Sequence, residues 1–286
     1  MYRAVRTLAL LAGAACSRAD PGPAALVDDA GVPIRMVGSP RRIVSLNPAT
    51  TELVFALGLG DRLVGRTTWC DYPEAARRVP DLGNGIGPNV EAVLRTRPDV
   101  VLLYRSSANR AAAERLRGFG IAALELRTDR IGDLERVTRL LGRVLGAERP
   151  ADSLVDWIRR DLEAAERAAG GPSIFLLAWN RPPMTLGRGS FLSEIVERAG
   201  ARNAFADLPV PSAPIAIEAV ARRDPDFVLT QAVELPAFAL QPEWQAVRAV
   251  RERRFIRVQG SEFSRPSPRI GQAVRKLAAA LDSARR

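Results

Sequence analysis

Three aromatic side chains, Trp69, Tyr104 and Trp179, each come at the end of a short apolar run instead of inside a helical stripe. Where such runs are parallel strands, the loops at their carboxyl ends are the places at which α/β folds meet ligands. The same loops carry Asn47, Asp71, Tyr72, Arg105, Ser106, the stretch Trp179 to Met184, and Ser261 to Arg265. Rings at these positions suit a large flat ligand, since burying one removes about 150–250 Å² from water, worth roughly 4–6 kcal/mol before entropy costs. Trp157 and Trp244 lie within helical patterns and are expected in the core. The chain has no histidine, which excludes His-dependent triads, His-ligated zinc and haem held by an axial His. No nucleophile–base pair stands out, no P-loop is present, and no metal site or resident cofactor is expected. The chemistry on offer is binding.

The elements that position these residues repeat. Asn89 to Leu102 and Ala216 to Leu229 share Glu-Ala-Val, then Arg, then Pro-Asp, then Val-Leu. Each copy reads as a short amphipathic helix closed at a proline and followed by a buried strand. Strands and helices alternate from residue 41 onward, the signature of parallel sheets covered by helices. Two similar α/β lobes follow, at 41–128 and 171–286. Between them, 129–170 holds the helical stretches Ile131 to Leu145 and Ala151 to Ala169, read as a rigid helical connector in which Leu154, Ile158, Leu162 and Ala165 share one face. Residues 17–40 read as a polar leader and a peripheral hairpin turning at Asp29 to Gly31. Glu91 and Glu218 fall in the first turns of the matching helices, where the helix dipole favours a carboxylate. Because the repeat relates them, they also form a pair of acidic knobs, one per lobe.

The net charge of +10 raises nucleic acid as a partner, but the arginines are scattered along helices beside Asp and Glu instead of clustering, so none is expected. Hydrophobic residues make up 47% of the chain, enough for a core in each lobe. Residues 1–16 read as an export signal: Arg3 and Arg6, an apolar run from Thr7 to Ala15, then Leu-Ala-Gly-Ala-Ala-Cys ending at Cys16. Cys16 is the candidate lipidation site, with cleavage by ordinary signal peptidase the alternative. Either way the protein is expected in the periplasm, touching a membrane only through a lipid anchor. Cys70 then lacks a partner and reads as a small buried residue. The glycine-rich turn from Asn84 to Asn89 reads as a tight turn before an Asn89 helix cap.

The runs Arg42 to Leu53 (RIVSLNPATTEL), Cys70 to Ala75 (CDYPEA), Asn89 to Glu91, Arg97 to Leu102 (RPDVVL) and Ser267 to Ile270 (SPRI) resemble, in order, those of the periplasmic solute-binding proteins for iron-siderophores, haem and cobalamin. The similarity covers Arg41 to the C-terminus and is strongest to the cobalamin-binding members. It implies two Rossmann-like lobes with parallel sheets joined by a long rigid α-helix, and cobalamin or a related corrinoid held between them. It also implies delivery to an ABC permease dimer with a cytoplasmic ATPase. Trp69, Tyr104, Met184 and Arg265 would then line the cleft with Trp179, and Glu91 and Glu218 would meet permease arginines. Gly85, Ser212 and Glu262 stand where the cobalamin binders carry aromatics, so fewer rings are expected here. A ferric siderophore, drawing on Arg105, Arg181 and Arg265, or haem, held by Tyr72, Tyr104, Met184 or Cys70, are the alternative cargoes.

Overall fold

The computed structural model describes residues 26–36 and 38–285; the export signal and Cys16 lie outside them. The first lobe is built on β1 (Ile43–Leu46), α1 (Pro48–Ala56), β2 (Leu63–Arg66), α2 (Val90–Arg95), β3 (Val100–Tyr104), α3 (Ser107–Gly118) and β4 (Ala122–Leu126). Its four strands are all parallel, in the order β2-β1-β3-β4. Both sheet faces are covered, so the strands are near-continuous apolar runs. Ile43, Val100, Leu102 and Leu124 face α1, while Val44, Leu46, Val101 and Leu103 face α2 and α3.

Two helices follow, α4 (Ile131–Leu145) and α5 (Glu148–Ala165). They fold back on one another across the turn at Gly146, which adopts φ 69°, so the connector is a helical hairpin. Gly142 permits the close approach, because a Cβ there would stand 2.5 Å from that of Ala151. The buried face of α5 is Ala151, Val155, Ile158, Leu162 and Ala165. Trp157 falls off that face and is 45% exposed, contrary to the core position expected for it.

The second lobe comprises β5 (Ser173–Asn180), β6 (Pro183–Leu186), α6 (Phe191–Arg198), β7 (Arg202–Asn203), β8 (Ser212–Pro214), α7 (Ile217–Arg223), β9 (Phe227–Thr230), α8 (Arg248–Arg251), β10 (Phe255–Arg257) and α9 (Ile270–Ala284). β10, β9, β5 and β7 are parallel, but β6 and β8 join antiparallel, making this sheet mixed. The helical pattern around Trp244 forms two pieces, a 3₁₀ turn, Pro242–Ala246, and α8. Trp244 within the turn is buried, packed against Phe175 and Phe238. One apolar cluster runs from β1 and α1 through α4 and α5 to β5, α6 and α9, joining both lobes.

The sequence repeat has a structural meaning at its Pro-Asp pair. Arg97 and Asp224, each just before the proline, both take positive φ, 48° and 43°. The next acidic residue then turns back onto the start of its lobe's central strand. Asp99 Oδ2 accepts from the Arg41 and Arg42 N–H groups at 2.7 and 2.9 Å, and Asp226 Oδ2 accepts from Ser173 N–H at 2.8 Å. The two aspartates are matching pins for β1 and β5.

The hairpin at residues 26–36 is not peripheral. Asp28 is buried and its carboxylate accepts from Arg117 Nη2 at 2.7 Å and from Glu125 N–H at 3.0 Å. Asp29 N–H donates to Glu125 O and its carboxylate accepts from Arg127 N–H. The hairpin thus satisfies the otherwise open edge of β4, a protection that exposed sheet edges need.

Candidate functional site: the interlobe cleft

A cleft of about 590 Å³ lies between the carboxyl ends of β1 and β3 on one side and the β6–β8 edge, the start of α6 and the segment before α9 on the other, within the roughly 300–1,000 Å³ typical of ligand sites. The first lobe contributes Asn47, Trp69, Asp71, Tyr104 and Asp129, and the second contributes Leu186, Phe191, Pro211 and Ser212. Ser264, Arg265 and Pro266 complete it from the segment before α9.

Each first-lobe group is held from behind. Asn47 caps α1 by accepting from Ala49 N–H at 3.0 Å, and its Nδ2 donates to Thr128 Oγ1 at 3.2 Å, tying the ends of β1 and β4. Trp69 sits in a turn closed by Cys70 N–H donating to Thr67 O. Its ring is 63% exposed. Cys70 is buried beneath it, within 3.1 Å of the hydroxyls of Thr51 and Thr67. Tyr104 ends β3 and donates its hydroxyl to Asp129 Oδ1 at 2.5 Å. Burial, then that hydrogen bond and the Asp129 charge, push its pKa well above the usual phenol value, so the ring stays a neutral donor. Asn109, buried on α3, donates to Tyr104 O and accepts from Gly87 N–H, both at 2.9 Å. The glycine-rich turn is thereby fastened to the strand end, with Asn89 capping α2 as expected. Gly85 presses against the tops of β1 and β2, and a Cβ would come within 2.7 Å of Leu46 O.

Arg265 reaches from the second lobe into the first. Its Nε donates to Glu52 Oε1 at 2.7 Å, Nη1 to Trp69 O at 3.1 Å, and Nη2 to Asp71 Oδ1. Arg269 donates to Glu52 at 2.7 and 2.9 Å and to Glu262 Oε2 at 2.6 Å, and Lys276 pairs with Glu262. Three carboxylates therefore meet three cations across the base of the cleft. Burial works to raise the Asp71 pKa, but the hydrogen bond and charge of Arg265 outweigh it and lower it. Glu262 is lowered in the same way, against its burial, chiefly by Lys276 and Arg269. The Arg269 guanidinium also stacks on Tyr72, 3.7 Å from the ring centroid. Nothing in the spacing of Glu52 pointed to this role, because it is a lone carboxylate in α1 whose partners Arg265 and Arg269 lie far along the chain.

Of the residues expected to hold cargo, the structure brings Trp69, Tyr104 and Arg265 together. Trp179 and Met184 pair with each other across the β5–β6 hairpin and are not among the residues lining the cleft. Arg105 and Arg181 do not line it either. Glu91 and Glu218 are exposed in the first turns of α2 and α7 and make no ion pair among the described residues. No cluster of three His, Cys, Asp or Glu side chains among the described residues is placed to hold a metal ion. No described helix is long and apolar enough to cross a membrane.

Two α/β lobes, one on a parallel and one on a mixed sheet, clasp a cleft in the manner of a solute-binding protein. Residues 43–261 match the model of the periplasmic binding protein family, and the chain belongs to that family. It is 30% identical to an uncharacterized ABC transporter substrate-binding lipoprotein of Bacillus subtilis over 91% of this chain and 85% of that one. It is also 30% identical to the vitamin B12-binding protein of Pectobacterium carotovorum, over 85% of this chain and 88% of that one. Among solved structures, the apo periplasmic haem-binding protein from Roseiflexus superposes with a TM-score of 0.76 at 24% identity, covering 87% of this chain and 100% of that one. The chain is a solute-binding protein of the ABC-importer type, a transport component working outside the cytoplasm.

Proposed function

We propose that the cargo is cobalamin or a related corrinoid, held between the lobes against Trp69 and Tyr104 and handed to a two-fold permease served by a cytoplasmic ATPase. The observation that carries this reading is the pairing of two outward rings with an arginine whose charge is already answered. Arg265 is committed to Glu52 and Asp71, so the cleft offers a broad aromatic and polar surface without a free guanidinium among its lining residues. That suits a large, flat, amide-rich ligand better than a polyanion. The vitamin B12-binding relative points the same way. A haem axial phenolate at Tyr104 is disfavoured by the contact with Asp129. A ferric siderophore is the second reading; it would need Arg105, which directly follows Tyr104 and makes no ion pair among the described residues, to turn into the cleft that it does not line.

Docking falls to Glu91 and Glu218, exposed on matching helices of the two lobes, which would meet two related basic patches on a two-fold partner. The export signal read at residues 1–16 supports a periplasmic mature chain, and lipidation at Cys16 would tether it there, in line with the lipoprotein relative. Calorimetric titration with cobalamin, haemin and a ferric hydroxamate tests the cargo. Saturable heat with cobalamin alone is expected, and heat with only the hydroxamate would replace this reading by the second.

A further inference from the structure

Beside the cleft, the second lobe contains an apolar pocket of about 190 Å³ lined by Leu176, Leu177, Leu192, Leu229, Phe238 and Phe263, with Thr230 and Gln231 also on its wall. It lies over the carboxyl end of β9 and the middle of β5, and the carboxyl ends of parallel strands are where such sheets meet ligands. Its origin is a seam between two cores. Leu176, Leu229 and Phe263 belong to the cluster that runs through both lobes, while Phe238 belongs to the cluster on the sheet's other face. The two clusters part where β9 ends and β5 leaves it to pair with β6.

The pocket's buried lining is Leu176, Leu229, Phe238 and Phe263, whereas Leu177, Leu192 and Thr230 are partly exposed and Gln231 is exposed. Three links tie the pocket's lining to that of the cleft. Ser264, a cleft residue, donates its hydroxyl to Gln231 Oε1 at 3.2 Å. Phe263 sits between the cleft residues Ser261 and Ser264, and Leu192 follows the cleft residue Phe191. With Oε1 engaged by Ser264, the Gln231 amide nitrogen remains a donor. Thr230 Oγ1 accepts from Ala232 N–H at 3.0 Å, which leaves its own hydroxyl proton to give. A void walled by Leu and Phe holds water poorly and accepts apolar guests; one of about 150 Å³ admits a benzene ring.

We propose that this pocket is a second subsite of the cleft, taking a flat apolar ring or short alkyl arm that projects from the cargo, while Gln231 and Thr230 donate to an acceptor atom where the arm joins the main body. It extends the corrinoid reading by naming a part of the ligand that the cleft would distinguish. Cargoes sharing one macrocycle but differing in such an arm are then sorted by the second lobe.

The test compares cobalamin, which carries a benzimidazole arm, with cobinamide, which lacks it, on the parent protein and on Leu192→Phe and Leu177→Phe, either of which fills the pocket from its accessible side. Filling a site of this size with a ring is expected to favour cobalamin by about tenfold to a hundredfold in Kd. The gap should close in the filled variants, with cobinamide affinity within about twofold of the parent's. Equal affinities in the parent, or a gap that survives both substitutions, overturn the subsite. Benzene supplies a readout independent of the cargo, through the methyl resonances of Leu177 and Leu192 in the parent protein and of whichever leucine remains in each variant. Shifts in the parent that vanish in the variants support a receptive pocket even if neither corrinoid binds, an outcome that would sink only the corrinoid reading. No benzene response in the parent overturns the proposal whatever the cleft carries.

Discussion

Replacing Glu52 by glutamine perturbs the structure where the two lobes are ionically joined. The carboxylate is 2% exposed and accepts three hydrogen bonds, one from Arg265 and two from Arg269. Glutamine keeps the shape but removes the charge and turns one acceptor into an NH₂ group facing guanidinium donors. Breaking an isolated buried ion pair costs about 3–5 kcal/mol. Arg265 retains Asp71 and Arg269 retains Glu262, so the expected loss is smaller, about 2–4 kcal/mol. For a chain of this size that corresponds to a fall in Tm of roughly 3–7 °C. Glu135→Gln is the control, because Glu135 is also flanked by two arginines, Arg139 and Arg159, but on the surface. It should cost less than about 1 kcal/mol. Differential scanning calorimetry on both variants decides the matter. If Glu52→Gln melts within about 2 °C of the parent, the network is not a structural joint and the reasoning from burial fails.

Acid should loosen the same joint. Asp71 and Glu262 are lowered from ordinary values of 3.8 and 4.5, so their stabilisation is complete above those values and is lost as pH falls through the depressed ones. Tm measured against pH should bend downward below about pH 4, and the bend should be shallower in Asp71→Asn, which has already lost that contribution at neutral pH. Gly85→Ala forces a Cβ to 2.6 Å from Thr67 Cγ2 at φ 79° and should cost about 2 kcal/mol or more, whereas Gly83→Ala, with nothing within 4 Å, should pay only its backbone strain of about 1–2 kcal/mol; urea unfolding separates them. Trp69→Ala should weaken cobalamin binding by about 1–3 kcal/mol in calorimetry while leaving the far-UV spectrum unchanged, since the ring is mostly in solvent. Glu91→Arg with Glu218→Arg should spare cargo affinity and reduce uptake into vesicles bearing the cognate permease, and normal uptake would leave the two glutamates as helix-start residues only.

The alternation of strands and helices was legible because the central strands β1, β3, β5 and β9 carry buried, continuous apolar runs. The repeat was legible too, since the same Pro-Asp chemistry anchors β1 and β5 at Asp99 and Asp226. What escaped depends on contacts between segments remote in the chain. Arg265 and Glu52 are 213 residues apart, and no local pattern in either segment announces the partner. The hairpin's grip on β4 escaped for a similar reason, because Asp28 looks like a turn residue until Arg117 is beside it. The antiparallel additions β6 and β8 are short, and periodicity over three or four residues does not reveal strand direction. Trp157 shows the limit of pattern reading in helices, where one step around the axis separates Ile158 in the core from a ring in solvent.

The apolar cluster threading both lobes through the α4–α5 hairpin has a consequence for how the molecule comes apart. Each lobe supplies one wall of that cluster and the hairpin supplies the filling between them. Cutting the chain on either side of the hairpin would leave one half with a bare hydrocarbon face and strip the other of its backing. Neither half is a module that could be exported, shuffled or refolded alone. The two copies of the repeated pattern form a single cooperative unit, so heat or denaturant should register one transition, and slowly exchanging amides on β1 and β5 should share one protection limit.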